Sequence, residues 1–219
     1  GDAIRWADGS QAVGPIALCE VQGYAARAAR QAADLLDAHG RGGADDLRSR
    51  ADEIADRFRS AFWVTDRASG AHFPAMALDA EGRAVEGIAS NMGHLLGTGF
   101  HDPSEQRGVV DRLMDPAMFS GFGIRTLSST NGGYWPMRYH AGAVWPHDTA
   151  LIIDGMLADG FADEARTVAE GLLAAAASFD WRLPQLFAGV SRDEASRGIP
   201  YPAACPPQAW SGAAGVRVG

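Results

Sequence analysis

The segment that decides the fold spans residues 115–148 and reads DPAMFSGFGIRTLSSTNGGYWPMRYHAGAVWPHD. It lacks both the 3.6-residue period of an amphipathic helix and the two-residue period of a strand. A loop of this length inside a folded domain is usually functional or disordered, and this one is too rich in aromatic residues to be disordered. We therefore expect an ordered loop that carries a binding surface.

Helical patterns flank this loop on both sides. Apolar spacing, prolines near helix starts and glycines near helix ends predict helices over residues 15–39, 44–63, 90–96, 103–114, 146–157 and 162–179, with another beginning at 207–214. Pro15 is placed in the first turn of the first helix, and Ser90 is placed as the N-cap of the third. Residues 73–78 and 84–88 predict a short β-hairpin.

The connections between these helices alternate in character. Short polar links occupy residues 39–45, 100–104 and 159–163, whereas long links rich in aromatic residues, glycines and acids occupy residues 1–14, 63–91, 115–148 and 180–207. Helical hairpins joined in this way place the short turns at one end and the long loops at the other. The sequence therefore predicts an all-α fold, an α/α toroid or partial toroid with a small β-hairpin in a long loop. A plain helical bundle is the alternative.

Composition narrows the class of protein. The chain has 219 residues, of which 47% are hydrophobic, enough for the core of one domain over residues 1–219. Its net charge is -8 and its 19 basic residues form no stripe, so nucleic acid is not an expected partner. No apolar run has the length of a membrane span and no signal peptide is visible, which predicts a cytoplasmic protein with no membrane partner.

Eight motifs occur in order along the chain. They are GDAI (residues 1–4), ADG (7–9), GPIALCEVQGY (14–24), ASNMGHLL (89–96), GFGIRTL (121–127), YHAGAVWPHD (139–148), LPQLFAG (183–189) and PPQAW (206–210). Together they resemble the bacterial amylo-α-1,6-glucosidase, or glycogen-debranching, family, whose signature Tyr-His-Asn-Gly-Ser-Val-Trp-Pro-His-Asp is similar to residues 139–148. The resemblance covers nearly the whole chain. It implies an (α/α)6 toroid of the six-hairpin glycosidase type, here a partial toroid, with an inverting mechanism and an α-glucan substrate.

Two departures from the family pattern concern the catalytic carboxylates. In the family, a Trp-Lys-Asp-Ser segment precedes the GDAI motif and its Asp is implied as the general acid, whereas this sequence begins at Gly1. We therefore expect a domain truncated on its N-terminal side, with the remainder of the parent chain as a partner. The family's implied general base is a Glu in the Leu-Pro-x-Leu-Phe motif, and Gln185 stands in its place.

The substitution at position 185 matters because inverting hydrolysis needs both an acid and a base. A glutamine amide can hold a water or a sugar hydroxyl but cannot take up a proton at neutral pH. Two interpretations remain open. The domain is an α-glucan hydrolase of the debranching type, or it is a catalytically impaired carbohydrate-binding pseudoenzyme.

His140, Trp145, His147 and Asp148 form the main constellation of candidate substrate-binding residues. Trp145 can stack on the apolar face of a sugar, and the polar side chains can bind its hydroxyls. Asp148 has an alternative role, which is to stabilise the helix start that follows Pro146. The spacing of these residues matches no usual metal-binding motif, so neither a metal nor a cofactor is expected.

Further candidates lie on neighbouring segments. Glu20 and Tyr24 are i,i+4 partners on the first helix, and Glu20 either faces the ligand or forms a structural hydrogen bond. Asn91 and His94 are candidate ligand contacts, but a capped helix start with a core histidine is the simpler interpretation of the two. Trp181 is a candidate aromatic subsite because it lies in a long loop.

Five more charged residues have simpler alternatives to a role in the site. Asp2 is a candidate substitute for the absent acid, and Asp8 another, but each is equally explained as a turn carboxylate. Arg125 is a candidate for binding sugar hydroxyls, but an ion pair or a carbonyl bridge that orders the long loop is the favoured interpretation. Asp193 and Glu194 are predicted to lie in a solvated loop.

Overall fold

The computed structural model describes residues 3–66 and 70–218, which form a helical fold with a few short strands. The α-helices are α1 (Cys19–Ala38), α2 (Ala44–Phe62), α3 (Pro103–Met114), α4 (Pro146–Ala158), α5 (Ala162–Ala177) and α6 (Ala209–Val218). A 3-10 helix, Ser90–Leu95, precedes α3. Each predicted helix has a counterpart, and the predicted all-α class is confirmed.

Five short strands accompany the helices. They are β1 (Ala17–Leu18), β2 (Trp63–Thr65), β3 (His72–Pro74), β4 (Ala77–Leu78) and β5 (Ala84–Val85). The predicted hairpin is confirmed in its centre, where Ala77 lies opposite Val85 in an antiparallel pair. Its outer part is wrong, because Phe73 belongs to β3 and lies opposite Val64 of β2. Phe73 is buried in the core formed by α3, α4 and α5, and this burial separates it from the hairpin.

Two predicted helix starts are wrong. Pro15 follows a cis peptide bond and precedes β1, so it lies outside α1. β1 pairs with β4, with Ala17 opposite Leu78, and this pairing keeps the chain extended until Cys19. Ser90 is not an N-cap, because Ala89 occupies that position with φ -142° and ψ 162° and no side chain caps the helix. Tertiary pairing and packing override the local signals at both places.

The start of α3 follows its local sequence closely. Asp102 Oδ1 accepts hydrogen bonds from the backbone N–H groups of Ser104 at 2.8 Å and Glu105 at 2.9 Å. Glu105 Oε2 in turn accepts from the Asp102 N–H at 2.9 Å, which completes a capping box. The predicted bounds of this helix are confirmed because its stop and start signals are local.

Two main clusters form the core. α1 and α2 pack through small residues such as Ala26 and Ala51, with Phe58 and Phe62 stacked beside Phe100. The second cluster joins the 3-10 helix to α3, α4 and α5 around apolar residues such as Val109, Leu113, Ile152, Met156 and Val168. Gly155 allows α4 to pass close to the 3-10 helix, since a Cβ there would lie 2.7 Å from Leu96 Cβ. This contact sets the position of α4 against the preceding segment.

The long loops are joined by isolated antiparallel bridges. Arg125 pairs with Val144, Val144 with Phe187, and Phe187 with Pro200. This irregular ladder connects the segment 115–148 with the segment 180–207. The segment 115–148 is therefore ordered, as its aromatic content predicted.

Candidate functional site

The starts of four helical elements meet in one place. Side chains from the first two turns of α1, from the short 3-10 helix and from the first turns of α4 and α6 are joined there by hydrogen bonds and ring contacts. Two residues of the long loops, Tyr139 and Gln185, adjoin them through Trp145. We name this group the helix-start cluster, and it consists of Glu20, Tyr24, Asn91, His94, Tyr139, Trp145, His147, Asp148, Gln185 and Trp210.

Glu20 and Asn91 form one side of the helix-start cluster. Asn91 Nδ2 donates to Glu20 Oε2 at 2.8 Å and to the carbonyl oxygen of Met76 at 2.9 Å. The structural hydrogen bond that was one alternative for Glu20 is therefore present. Both residues remain partly accessible, so the carboxylate is held by the amide without being sealed from solvent.

A chain of three side chains crosses the centre of the cluster. His94 Nε2 and Asp148 Oδ1 lie 2.6 Å apart, and His94 Nδ1 is hydrogen-bonded to the Tyr24 hydroxyl. Burial alone would lower the pKa of His94, but the hydrogen bond to Asp148 and the charge of its carboxylate outweigh burial, so this pKa lies above its ordinary value. Burial would raise the pKa of Asp148, yet His94 holds it below the ordinary value. The pair therefore favours an imidazolium beside a carboxylate.

Aromatic rings line the other side of the cluster. Trp145 contacts Tyr139 edge to face at a centroid distance of 4.6 Å and lies parallel to His140 at 5.9 Å. His147 stacks on Trp210 with centroids 4.2 Å apart. Trp145 is only 7% exposed, whereas Trp210 is 46% exposed. Trp210 is thus the more accessible of the two indole faces.

Gln185 lies at the edge of this aromatic group. Its Nε2 donates to the Tyr139 hydroxyl at 2.8 Å, and its backbone N–H donates to the Cys205 carbonyl at 3.1 Å. Tyr139 also contacts the ring of Tyr201. The side chain at position 185 is thus oriented by a phenol, which would hold a carboxylate in the same place equally well.

Arg125 holds the long loops together beside the cluster. It is 3% exposed, and its guanidinium donates to the carbonyl oxygens of Gly189 at 2.6 Å and Pro116 at 2.7 Å. The predicted carbonyl bridge is therefore confirmed. Gly189 and Gly142 lie so close that a Cβ at position 189 would be 1.8 Å from the Gly142 carbonyl oxygen. These contacts fix the loops that present Tyr139 and Gln185.

Comparison with protein families identifies the family to which the chain belongs. Residues 3–180 match the model of the mannosylglycerate hydrolase MGH1-like glycoside hydrolase domain. The chain belongs to this family. No curated protein matches the chain.

Solved structures place the MGH1-like domain in a known architecture. The GH63 mannosylglycerate hydrolase of Thermus thermophilus, in complex with Tris and D-glycerate, is 17% identical with a TM-score of 0.67, and the match covers 92% of this chain and 46% of that one. The neutral trehalase of Saccharomyces cerevisiae is 10% identical with a TM-score of 0.70, covering 93% of this chain and 37% of that one. The predicted fold, a partial toroid of the six-hairpin glycosidase type, is confirmed. This chain spans less than half the length of each of these proteins.

The MGH1-like domain brings most of the predicted site residues together. The gathered candidates are Glu20, Tyr24, Asn91, Trp145, His147, Asp148 and Gln185, and His140 adjoins them through its ring contacts with Tyr139 and Trp145. Trp181 is 71% exposed after the end of α5, and none of the ring contacts found in residues 3–66 and 70–218 joins it to the cluster. Asp2 lies outside the described residues.

The remaining charged candidates have structural roles. Asp8 Oδ1 accepts from the backbone N–H of Ser10 at 2.8 Å and from its hydroxyl at 2.6 Å, so the turn carboxylate is confirmed. Asp193 and Glu194 are exposed, as predicted for a solvated loop. Asp148 lies in the first turn of α4, but its side chain binds His94 instead of a backbone amide at the helix start.

The sequence does not single out three members of the cluster. A core histidine is the simpler interpretation of His94 there, and Trp210 and Tyr139 appear only as parts of motifs. His94 is indeed mostly buried, but both its ring nitrogens are engaged by residues of the site. A histidine three residues after Asn91 shares its helical face, and this spacing is the signal that could have identified it.

The described residues contain neither a metal-binding cluster nor a membrane-spanning helix. Among residues 3–66 and 70–218, no group of three or more His, Cys, Asp or Glu side chains is arranged to hold a metal ion. In the same described part of the chain, no helix has both the length and the apolar composition needed to span a membrane. A large concavity, about 780 Å³, is a groove along α3 lined by residues such as Trp63, His72 and Arg107, and it lies apart from the helix-start cluster.

Proposed function

We propose that the helix-start cluster is the carbohydrate-binding site of this glycoside hydrolase domain and that its ligand is an oligosaccharide of α-linked glucose. The observation that carries the proposal is the meeting of acids, amides and imidazoles with aromatic rings at the helix starts. Sugar sites combine such polar groups, which bind hydroxyls, with rings that cover the apolar C–H face.

Individual atoms of the cluster suit hydroxyl recognition. Asn91 Oδ1 is buried, and within the described residues it accepts no hydrogen bond. The same holds for His147 Nδ1. Buried polar atoms are normally paired, so these two atoms are candidate partners for ligand hydroxyls. The accessible face of Trp210, stacked on His147, supplies the adjoining apolar surface.

The choice of an α-glucan rests on sequence resemblance. The motifs at residues 139–148, 183–189 and 206–210 resemble those of the glycogen-debranching family. The solved relatives act on other compounds by their names, mannosylglycerate and trehalose, and those are the competing ligands. An α-1,6-glucosidase-like, inverting reaction is the corresponding catalytic proposal.

Gln185 favours a second candidate, a pseudoenzyme that binds sugar without hydrolysing it. An inverting glycosidase requires a carboxylate that activates water, and Gln185 contributes an amide hydrogen-bonded to Tyr139. In this interpretation the binding residues are the same, and only turnover is lost. Binding and hydrolysis are therefore measured separately.

The test is calorimetric titration of the protein with maltotriose, isomaltotriose, trehalose and mannosylglycerate. We expect the two glucose trisaccharides to bind more tightly than the other compounds. Tighter binding of trehalose or mannosylglycerate would replace the α-glucan proposal. An absence of binding by all four would reject the sugar site, provided that the circular dichroism spectrum shows a folded protein.

A further inference from the structure

Tyr24 lies at the outer end of the three-residue chain that runs from Asp148 through His94. Its residue surface is 42% exposed, so the phenol faces solvent on one side and His94 Nδ1 on the other. A phenol has one hydrogen to donate and lone pairs that accept. If the phenol donates its hydrogen to His94, its oxygen can still accept a hydrogen bond from a ligand. If it accepts from His94, its hydrogen can be donated to a ligand.

The role of His94 depends on its charge. Asp148 is held as a carboxylate, so it can only accept, and His94 Nε2 must carry a hydrogen that it donates over 2.6 Å. In neutral His94, Nδ1 therefore has a lone pair that accepts the Tyr24 O–H. In the imidazolium, Nδ1–H donates to the Tyr24 oxygen, and the phenolic hydrogen is released toward solvent.

We propose that the protonation state of His94 decides whether Tyr24 offers a ligand an acceptor or a donor. Tyr24 is then a specificity-determining residue. His94 is the positioning residue that sets whether the Tyr24 phenol donates a hydrogen bond to the ligand or accepts one from it. With neutral His94, the phenol oxygen accepts from a sugar hydroxyl. With protonated His94, the phenol donates to an oxygen of the ligand, including an ether oxygen that has no hydrogen to give.

The charged groups around His94 determine where this change occurs. On α1 these are Glu20, which favours the imidazolium, and Arg27, which acts on Tyr24. On α4 they are Asp148, which favours the imidazolium, and His147, which is electrostatically coupled to His94. Since the acids outweigh burial, the pKa of His94 is raised, and the change occurs at a higher pH than the protonation of a free imidazole.

The first part of the test requires no ligand. The protein is labelled with ¹⁵N-histidine and titrated by NMR, and His94→Gln identifies the His94 signals among those of the six histidines. We expect Nδ1 of His94 to be unprotonated at alkaline pH and to gain its proton as the pH falls. Protonation of Nδ1 at every pH would overturn the proposal, because Tyr24 would then always accept from His94.

The second part uses glucose as the probe and rests on the proposed sugar-binding function. We expect the glucose affinity to change by about three- to tenfold across the His94 titration. This change corresponds to the net free energy of one hydrogen bond. Tyr24→Phe should remove this pH dependence. Tyr134→Phe is the matched control, because its hydroxyl donates to the Gly189 carbonyl at 2.9 Å, away from His94. Circular dichroism establishes that both variants fold.

Failure of the inference about Tyr24 and failure of the proposed function give different results in this test. If pH dependence persists unchanged in Tyr24→Phe, the inference is wrong while the sugar site stands. If glucose binds at no pH, the proposed function is rejected and the ¹⁵N titration alone decides whether His94 sets the polarity of Tyr24.

Discussion

Gln185 and Tyr139 are joined by a single hydrogen bond of 2.8 Å, from the amide Nε2 to the phenolic oxygen. A carboxylate at position 185 could accept a hydrogen bond from the same phenol without rearrangement, because Glu and Gln have nearly the same shape. Position 185, which we propose as that of the general base, is thus occupied by an amide that cannot take up a proton at neutral pH.

This relationship predicts the effect of Gln185→Glu. In the full-length protein, we expect the substitution to raise the rate of α-1,6-glucan hydrolysis by about a hundred- to ten-thousand-fold, the usual contribution of a general base. Gln31→Glu, at an exposed position of α1, is the matched control and should change nothing. Equal rates for the parent and Gln185→Glu would remove position 185 from the catalytic site.

The pair of His94 and Asp148 predicts a pH-dependent stability. The pKa of His94 is raised on folding, so its contribution is full below 6.5 and is lost as the pH rises through the folded pKa. The pKa of Asp148 is lowered, so its contribution is present above 3.8 and is lost as the pH falls through the folded pKa. The pair therefore stabilises the fold most between these two values.

Asp148→Asn isolates this contribution. We expect the free energy of unfolding in urea to fall by roughly 3 kcal/mol within that window, because a mostly buried imidazolium loses its partner. The difference from the parent should shrink at higher pH, where His94 is neutral. Asp154→Asn, which breaks an exposed pair with Arg217, should cost less than about 1 kcal/mol. Equal losses in the two variants would contradict the prediction.

Arg125→Met tests the bridge between the long loops. The variant keeps most of the apolar stem but leaves the Gly189 and Pro116 carbonyls without their guanidinium donor. We expect a loss of about 3 kcal/mol in unfolding free energy and faster proteolysis within residues 115–148. Arg217→Met, at a side chain that is 64% exposed, serves as control and should leave both measurements nearly unchanged.

Gly189→Ala tests the close approach of the same loops. The added methyl group would collide with the Gly142 carbonyl, so we expect a destabilisation of at least about 1–3 kcal/mol, measured by thermal unfolding. Gly212→Ala introduces the same methyl group in α6, where no atom lies within 4 Å of the new Cβ. It should raise stability by up to about 1 kcal/mol, since alanine favours a helix.

Trp210→Ala probes the accessible ring of the cluster. We expect maltotriose affinity to fall by about tenfold, because the ring offers apolar surface to a sugar face. Trp145→Ala should also weaken binding, but with a loss of stability, since Trp145 is 7% exposed. Trp181→Ala tests whether the sugar-binding surface extends to the loop that follows α5. A normal affinity in both Trp210→Ala and Trp145→Ala would count against the cluster as a sugar site.

The fold could be predicted wherever its signals were local. The bounds of α3 agree with the sequence because Asp102, Pro103 and Glu105 specify its start by contacts within one turn. Pro15 and Ser90 carry equally clear local signals, yet the pairing of β1 with β4 and the packing of the 3-10 helix decide those segments. Distant strand pairing leaves no periodic pattern in the sequence.

Most residues of the site could be predicted from the sequence, but the hydrogen bonds between them could not. Motif spacing singles out Asp148 and Asn91, and charge within an apolar helix singles out Glu20. The hydrogen bond between His94 and Asp148 joins residues 54 positions apart, and the one between Tyr24 and His94 joins residues 70 positions apart. Such pairings depend on how the helices pack, so the spacing from Asn91 could place His94 on the same face but could not identify its partners.

The meeting of helix starts has an electrostatic consequence. The positive ends of the macrodipoles of α1, α4 and α6 converge where the ligand is proposed to bind. Glu20 and Asp148, each in a first turn, supply the negative charge that offsets this potential. A neutral sugar, or the positively charged ring that develops as a glycosidic bond breaks, would otherwise meet a field suited to anions. The two acids thus tune the local potential of the site as well as its hydrogen bonds.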